Sequence, residues 1–590
     1  MCGYLGTISS NSIEKNKLIE SNNRIICRGP DETKIVHNEG THFSNKLNYF
    51  FAFNRLAIQD LSKNGSQPMY SAEFNTAVLF NGEVYNNNEL RELLEGNGLN
   101  FKSNNSDTEV VLLGLSFFGV SFIEKIIGQF AITFCDFNKC EIYLIRDRLG
   151  QKPLFYFSEN NSLIFSSNLI SIKEITNSNV DLESLESYIS LGVVPSPKTI
   201  YKNIYKVKPG ELIKFNKELK IDKKLTYWDL ESFVDNSKFN YSEFINLFND
   251  SVSKRQLADV EVANFLSGGL DSTAIVKSLV ESGYDINTYS LGFSNKKYDE
   301  SKWSQLVADK YETNHWQDSL SFNISEEDIN KSISAFDEPY ADPSTIPSYI
   351  LSREIAKKFK VAISGDGGDE LLGGYKRTYQ SLYPKPNIFG FLYDYYPSFL
   401  GTGNYFRRNH NNLGIRYSSY FEDIKLCNLL NTHSSTKYIE DYFKPLENKY
   451  KTLLISDYKF YLPEMMMLKI DRTSMANSLE VRSPFVDHRL VEYVLSTDTS
   501  YFSKNISKPL IRKFLKNDFN NNFLDRNKMG FAFQLEDWVY KNIETIFDSI
   551  NEDSITSQYS QKLKLLKINK SRINALRIWK IYFLSKYLNS

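Results

Sequence analysis

The sequence predicts a two-domain α/β protein, because of its length and a change of pattern along the chain. Its 590 residues exceed the roughly 250–300 residues at which one hydrophobic core stops growing. Residues 1–215 contain short apolar runs bounded by Gly, Asn and Asp, which is typical of packed sheets. From residue 241 strands alternate with helices, which indicates a parallel sheet, and a mostly helical part follows residue 380. The polar, lysine-rich stretch 216–240 is the predicted linker between domains 1–215 and 241–590.

The individual elements follow from the same patterns. In the first domain we predict strands at 77–80, 130–134, 142–145 and 163–165, and helices at 88–94 and 108–118. In the second we predict, in order, helix 242–257, strand 260–266, helix 273–282, and strands 286–291 and 360–364.

Composition narrows the class of protein. Hydrophobic residues make up 41% and charged residues 24%, as in ordinary globular proteins. The 70 basic and 71 acidic side chains leave a net charge of -1, so no global field attracts nucleic acid or anionic lipid. The five cysteines include no C-x-x-C pair, which argues against a disulfide framework or a zinc site. With neither a signal peptide nor an apolar run of about 18–20 residues in the pattern, we expect a cytoplasmic protein without membrane or nucleic-acid partners.

A glycine-rich turn follows the strand at 260–266. Its sequence, S-G-G-L-D-S at 267–272, lets adjacent glycines turn backbone N–H groups toward one point in front of a helix N-terminus. Such a cradle binds phosphate, and Asp271 beside it is a suitable Mg²⁺ ligand. The Lys of a Walker loop and the G-x-G-x-x-G of a dinucleotide fold are both missing. The structural alternative is a glycine turn in which Asp or Ser only caps the helix.

A second turn, S-G-D-G-G-D-E at 364–370, also follows a strand and opens a helix. Two such turns at adjacent strand ends face one crevice, which is where an open α/β sheet binds its ligands. Asp369 is then placed to share a metal with Asp271. The alternative role for Asp369 is an N-cap.

Cys2 follows the initiator methionine, whose removal would leave an α-amino group with a pKa of about 7.7–8.0 as a base for the thiol. A packed, inert thiol is the alternative. Asn81 and Gly82 at a strand end are suited to an oxyanion hole, or to a plain hairpin turn. Arg55 can pair with a substrate carboxylate. Asp107 can take an ammonium group or cap the helix after it.

The ordered set of motifs resembles a class II glutamine amidotransferase domain fused to the synthetase domain of glutamine-hydrolysing asparagine synthetases, over nearly the whole chain. The resemblance implies an N-terminal-nucleophile α-β-β-α sandwich followed by a parallel-sheet ATP-pyrophosphatase domain with a helical C-terminal part. The motifs that carry it are residues 1–3, 28–31, 54–58, 81–83, 106–109, 267–272, 364–370, 469–475, 480–485 and 528–531.

The resemblance also implies residue roles. Cys2 would attack glutamine, and the ammonia would cross an internal tunnel. Asp366 and Lys508 would act in the synthetase chemistry, with ATP and Mg²⁺. The glutamine pocket would contain Arg55, Leu56, Ile58, Asn81, Gly82, Glu83 and Asp107. ATP would bind at Leu266, Ser267, Gly268, Gly269, Leu270, Asp271, Ser272, Leu291, Ser364 and Gly365, and the metal at Asp271 and Asp369.

The expected reaction is asparagine synthesis from aspartate, glutamine and ATP through an acyl-adenylate. The alternative is a related ligase that amidates another carboxylate, such as a uronic acid of a surface polysaccharide, because segment 337–347 resembles that branch. A non-synthetic hydrolase or regulatory remnant is the third hypothesis. Two positions depart from the family pattern: Cys27 stands where His is common, and Asp366 where Glu is common. A homodimer is left open.

Overall fold

The computed structural model describes residues 2–43, 47–293, 299–320, 324–386, 390–433, 443–502, 506–526 and 534–589. Met1 and the 528–531 motif lie outside the described residues. In the described part of the chain, no helix combines the length and the apolar character that a bilayer crossing requires.

Two antiparallel sheets of six strands form the first half of the chain. One sheet has the strand order β10-β8-β9-β1-β3-β2, and the other β12-β11-β7-β6-β5-β4. The strands are β1 Gly3–Ser9, β2 Glu32–Phe43, β3 Leu47–Arg55, β4 Met69–Ser71, β5 Thr76–Val84, β6 Gly128–Asp136, β7 Glu141–Arg146, β8 Phe155–Glu159, β9 Ser162–Ser166, β10 Ile204–Lys206, β11 Glu211–Phe215 and β12 Ile221–Thr226.

The two sheets face each other across an apolar core to which Phe51 and Leu79 contribute from opposite sides. The first sheet is covered outside by α1 Lys15–Asn22, α4 Leu169–Thr176 and α5 Leu182–Leu191. The second is covered by α2 Asn87–Gly96 and α3 Asp107–Phe118. This arrangement is the expected α-β-β-α sandwich.

The predicted linker contains a strand. β12 pairs antiparallel with β11, and all six of its side chains are exposed. The lysines of β12 lie at the edge of the sheet, where charged side chains prevent pairing with other chains. The polar, lysine-rich composition of this part of 216–240 is therefore that of an edge strand. The first sheet system therefore continues through Thr226, while the division of the chain at 215 and 240 stays a prediction.

The second half contains a five-stranded parallel sheet of order β15-β14-β13-β16-β17, as the alternating pattern predicted. Its strands are β13 Val262–Phe265, β14 Asn287–Phe293, β15 Asn314–Leu320, β16 Val361–Ile363 and β17 Glu480–Arg482. From β13 the chain builds outward to β14 and β15 on one side, and later to β16 and β17 on the other. The order therefore reverses between β13 and β16, which is the position where open α/β sheets bind ligands.

Helices cover this sheet and fill the C-terminal part. They are α6 Tyr241–Lys254, α7 Leu270–Glu281, α8 Ser301–Tyr311, α9 Glu326–Ser334, α10 Thr345–Ala356, α11 Gly368–Leu372, α12 Lys376–Leu382, α13 Leu392–Tyr395, α14 Asn404–Arg408, α15 Leu413–Ser418, α16 Ile424–Leu430, α17 Lys449–Ser456, α18 Leu468–Met475, α19 His488–Ser496, α20 Pro509–Leu515, α21 Asn521–Leu524, α22 Leu535–Lys541, α23 Ile543–Glu552, α24 Ser560–Leu563 and α25 Arg572–Leu588, with a π-helix, Asp457–Met467, between α17 and α18. Helix α7 begins at Leu270, three residues before the predicted start, because Gly269 is its N-cap.

Buried charges hold the two halves together. Arg28 from the first half makes two hydrogen bonds to Asp471 on α18, at 2.8 and 3.0 Å. Arg472 also bonds Asp471, at 2.8 Å, and makes two further bonds to Asp337. Lys152 lies 3.7 Å from Asp471. Burial alone would raise the pKa of the Asp471 carboxyl, but Arg28, Lys152 and Arg472 hold it well below its ordinary range.

We predict that Asp471→Asn destabilises the protein by about 3–5 kcal/mol, because it leaves three buried cations without their shared carboxylate. The measurement is the denaturant midpoint at pH 7. Glu327→Gln is the matched control, since it weakens only an exposed pair with Lys331 and should leave the midpoint nearly unchanged. Similar midpoints for the two variants would contradict the prediction.

The contribution of the Asp471 carboxylate to the free energy of unfolding depends on pH. A carboxyl whose pKa is lowered by folding stabilises the protein above its unfolded pKa of about 3.9, and loses that effect as the pH falls. The difference between wild type and Asp471→Asn should therefore shrink below about pH 4.

Candidate active sites

Cys2 lies between the two sheets, just before β1, with 8% of its surface exposed. Its backbone N donates to Asn81 Oδ1 at 3.1 Å, and its carbonyl accepts from Arg28 Nε at 3.2 Å. Burial raises the pKa of the Cys2 thiol above its ordinary value. The thiol therefore needs a base before it can act as a nucleophile near neutral pH.

Asn81 and Gly82 lie within β5, not in a hairpin turn, so the turn alternative is wrong. The Asn81 side chain is fully buried, and none of the described residues accepts a hydrogen bond from its Nδ2. A buried donor without a partner is costly unless a ligand uses it. At Gly82 a Cβ would come within 2.2 Å of the Gln129 carbonyl, so only glycine allows this approach of β5 to β6.

A small pocket opens beside Cys2, and Arg55, Leu56 and Ile58 line it together with Gly82, Glu83 and Asp107. The Arg55 guanidinium is fixed by backbone carbonyls, at 2.7 Å from Ser62 and by a second bond to Asp60. The predicted glutamine-binding residues thus come together around one cavity, and the buried Asn81 amide bonds to Cys2 at its edge.

The surroundings raise the pKa values of two acids in this pocket, Glu83 and Asp107. Glu83 accepts a hydrogen bond from Gln59 and lies 3.1 Å from Arg482 Nη2 of the second half. Burial raises its pKa well above the ordinary value, although Arg482 opposes the shift. Burial also raises the pKa of Asp107 to about 6. Arg482 was missed by the sequence analysis as a neighbour of this pocket.

The predicted capping of α3 by Asp107 is wrong. Asp107 is the first helical residue, and its carboxylate accepts from the Val84 N–H at 3.2 Å. Ser106 occupies the N-cap position without a side-chain capping bond. Glu109 instead reaches back to the backbone N–H groups of Lys102 and Ser103, both at 2.8 Å. Asp107 is therefore not the N-cap residue of α3, and it lines the pocket.

The first glycine turn joins β13 to α7. Gly268 has a φ of +69°, and a Cβ there would meet Trp303 at 2.6 Å. The hydroxyls of Ser267 and Ser272 lie 3.3 Å apart at the mouth of the turn. Leu266 bonds to Tyr289 of β14, the strand that also carries Leu291. The positive end of α7 thus faces the crevice at the strand-order reversal.

The second glycine turn contacts the first. Ser364 follows β16 and bonds to the Arg482 carbonyl of β17 at 2.9 Å. A Cβ on Gly365 would lie 2.9 Å from Asp271 Cβ, and one on Gly368 would lie 2.9 Å from Asp271 Cγ. Two glycines are therefore required for the carboxylate of Asp271 to enter the second turn.

Lys508 joins the acids of the two turns. Its Nζ pairs with Asp271 and, at 2.7 Å, with Asp369 Oδ1, and the residue is 4% exposed. Lys508 is therefore a buried lysine, not a surface one. Gly374 gives it space, since a Cβ there would come within 2.4 Å of Lys508 Cε. Two carboxylates around one ammonium leave a net negative charge, which suits a cation bound with phosphates.

Asp366 follows Gly365 and lies beside Lys469, whose ammonium it helps to keep charged. Within the described residues no hydrogen bond to the Asp366 carboxylate is found. In the sequence, Lys469, Arg28 and Asp471 stand out only as parts of motifs. Arg28 lies 443 positions from Asp471, and Lys469 lies 125 positions from Ser344, so a local pattern gives no signal for these contacts.

Two family models match the chain. Residues 1–228 match a glutamine amidotransferase domain, and residues 243–576 match asparagine synthase.

Curated relatives agree with these matches. Asparagine synthetase [glutamine-hydrolyzing] 1 of Bacillus subtilis (strain 168) is 28% identical over 613 residues, covering 98% of this chain and 95% of the relative. Asparagine synthetase [glutamine-hydrolyzing] 3 of the same organism is 28% identical over 569 residues, covering 90% and 87%. A more distant relative, Amidase chry2 of Gibberella zeae, is 25% identical over 583 residues, covering 84% and 82%.

We predict that Gly368→Ala weakens ATP binding at least tenfold, because the new methyl group displaces the Asp271 carboxylate. The measurement is the Kd by calorimetry. Gly96→Ala is the matched control, since no atom lies within 4 Å of the added Cβ. Unchanged ATP affinity in Gly368→Ala would show that the contact between the two turns does not serve the nucleotide.

Proposed function

The chain belongs to the asparagine synthase family, and we propose that it makes asparagine from aspartate, with glutamine as the nitrogen donor. As a member it is an ATP-dependent, glutamine-hydrolysing ligase that amidates a carboxylate. The identity of aspartate as that carboxylate is the proposal. The choice of aspartate is supported by the likeness to relatives named asparagine synthetase, one of which aligns with 98% of this chain. The nucleotide chemistry is supported by the cluster of Lys508, Asp271 and Asp369 where two glycine turns meet.

In the first half, we assign glutamine hydrolysis to Cys2. Its thiol, after proton transfer to the chain's α-amino group, attacks the side-chain amide carbon of glutamine. The negative oxygen that develops is met by the Asn81 Nδ2 donor and the Gly82 N–H. Ammonia leaves with a proton from the base, and water then hydrolyses the thioester to glutamate. The buried, unused donor of Asn81 supports this role.

The substrate's amino-acid end is assigned to the other side of the pocket. Arg55 meets its carboxylate, and Asp107 meets its ammonium. With a pKa of about 6, Asp107 carries the required negative charge at neutral pH and loses it in acid. Glu83 lines the same pocket, where it accepts a hydrogen bond from Gln59 and lies 3.1 Å from Arg482 Nη2. Leu56 and Ile58 border both this pocket and the core of the second half.

In the second half, an acceptor carboxylate oxygen attacks the α-phosphorus of ATP, and pyrophosphate leaves. Ammonia then attacks the acyl carbon, and AMP leaves with the oxygen. Adenylation converts a poor electrophile into one with a good leaving group. Lys508 is placed to neutralise charge on the phosphates, and the N–H groups of the 267–272 turn bind pyrophosphate. Asp366 is assigned to the acceptor side of this reaction.

Mg²⁺ is part of the proposal. The donor set fits, because Asp271 and Asp369 bring two carboxylates to a point where a cation is already held. These two residues would hold the ion, which would neutralise phosphate charge when bound with ATP. Ammonia transfer inside the protein and a homodimer are further parts of the proposal.

We predict that Cys2→Ala abolishes glutamine-dependent amide formation, while free ammonia still supports synthesis at the wild-type rate within about threefold. The reason is that the two reactions use separate sites. The assay is pyrophosphate release with each nitrogen source. Cys27→Ala, which removes an exposed cysteine of the same half, is the control and should leave both rates intact. Equal loss with both sources in Cys2→Ala would contradict separate sites.

We predict that aspartate, within a panel of carboxylates that includes glucuronate and galacturonate, gives the fastest ATP-dependent pyrophosphate release with glutamine. Product amide is identified by mass spectrometry. Release with a uronic acid but none with aspartate would replace the proposed acceptor by the sugar-acid alternative, without affecting the ligase class.

A further inference from the structure

One carboxylate of the second half bonds to two loops around the pocket beside Cys2. Asp259 lies between α6 and β13, and its Oδ2 accepts from the Asp60 N–H at 2.8 Å and from Asn105 Nδ2 at 2.6 Å. The Asp259 N–H in turn donates to the Ile58 carbonyl at 2.9 Å. Three hydrogen bonds therefore join the segment before β13 to the sandwich, and the charge of the carboxylate strengthens two of them.

The first of these loops carries the Arg55 side of the pocket. Arg55 donates through one guanidinium nitrogen to the Asp60 carbonyl and through another, at 2.7 Å, to the Ser62 carbonyl. Asp60 has a φ of +50°, a conformation that is uncommon for residues other than glycine and needs support from its surroundings. The bond from the Asp60 N–H to Asp259 gives such support, so Asp259 helps to fix the peptide groups that orient the Arg55 guanidinium.

The second loop carries the opposite side of the pocket. Asn105 stands two residues before Asp107, which lines the pocket. The Asp60 N–H and the Asn105 amide converge on the same oxygen of Asp259. That oxygen therefore bridges the loop that orients Arg55 and the loop that carries Asp107.

Arg482 holds the Asp259 segment in place within the second half. Its Nη1 donates to the carbonyls of Arg255 at 2.8 Å and Leu257 at 2.7 Å, and its side chain is fully buried. The Asp259 side chain itself is exposed. Exposed charged contacts add little to the stability of a whole fold, so the loss of this carboxylate is expected to change the pocket without unfolding the protein.

We propose that Asp259 is a positioning residue for glutamine and that it sets the separation between Arg55 and Asp107, the groups assigned to the α-carboxylate and the α-ammonium. The inference rests on the proposed function of this pocket and deepens it, because a residue of the second half then determines glutamine affinity in the first. An amino-acid end bonds to both groups at once only when their separation matches its own. Asp259 does not line the pocket, so it acts through the two loops.

The test is glutamine hydrolysis by the full-length protein, measured as glutamate release. Asp259→Ala should raise the KM for glutamine by about fivefold or more and lower kcat by less than about threefold, because the nucleophile and the oxyanion donors are unchanged. Asp259→Asn should raise the KM less than Asp259→Ala does, because its amide oxygen still accepts both bonds without the charge. The ratio of kcat/KM for glutamine over glutaramate, which lacks the α-ammonium, should fall by about threefold or more in Asp259→Ala.

The partner on the second loop supplies another variant. Asn105→Ala removes one of the two donors to Asp259 and should also raise the KM for glutamine. The double variant should raise the KM by less than the product of the two single effects, because both substitutions remove the same bond. A KM equal to that product would show that the two residues act independently and would overturn the bridge.

Asp309→Ala is the matched control, since it removes an exposed aspartate of the second half that accepts one side-chain bond, from Gln305 at 2.7 Å. It should leave the KM for glutamine unchanged. In every variant the KM for ATP and the rate with free ammonia should stay within about twofold of wild type, and the thermal midpoint reports folding. Equal losses with glutamine and with ammonia in Asp259→Ala would indicate a general structural role, and the positioning role would be wrong.

Failure of the inference is separable from failure of the proposed function. Glutamine hydrolysis by wild type with an unchanged KM in Asp259→Ala would overturn the positioning role alone. If Asp259→Ala does not fold, the KM of Asn105→Ala decides in the same way. Glutamine hydrolysis that persists in Cys2→Ala would overturn the proposed function of the pocket first.

Discussion

The carboxylate of Asp471 is the constraint on which the arrangement of the two halves depends. It receives bonds from Arg28 of the sandwich and from Arg472 of its own helix, and Arg472 continues the ionic chain to Asp337. All of these groups are buried, so each is costly to separate from its partner. This series of ion pairs fixes one relative position of α18 and the sandwich, because a shift of about an ångström would break charge-assisted hydrogen bonds.

Helix α18 thereby relates two chemical sites to one another. Through Asp471 it holds Arg28, which also bonds the Cys2 carbonyl and so helps to fix the nucleophile. Two residues earlier, Lys469 donates to Ser344 Oγ at 3.0 Å, and the charge of Asp366 in the second glycine turn helps to raise the pKa of its ammonium. Strand β17 makes a second link, because Arg482 pairs with Glu83 through its side chain and bonds to Ser364 through its carbonyl. Residues 469–482 therefore contact both sites and fix their positions relative to one another.

The sequence predicted the parts of this structure that have local causes. Alternating strands and helices gave the parallel sheet, and the paired glycines gave turns that do meet at Asp271. Contacts such as Arg28 with Asp471 join residues 443 positions apart and leave no periodic signal. The capping prediction for Asp107 was wrong because a tertiary contact, the Val84 N–H, took the carboxylate. Edge-strand lysines have the composition of a loop, so no local signal indicated strand β12 inside the predicted linker 216–240.

The largest apolar core is built from both halves of the chain. Tyr188 of α5 and Trp579 of α25 belong to it, the Tyr188 hydroxyl donates to the Lys580 carbonyl at 2.8 Å, and Lys580 Nζ returns a bond to Ile189. During synthesis the sandwich leaves the ribosome hundreds of residues before α25 does. Its apolar outer layer stays exposed to water until a helix that follows hundreds of residues later has been made, so the nascent chain needs protection from aggregation until that helix docks.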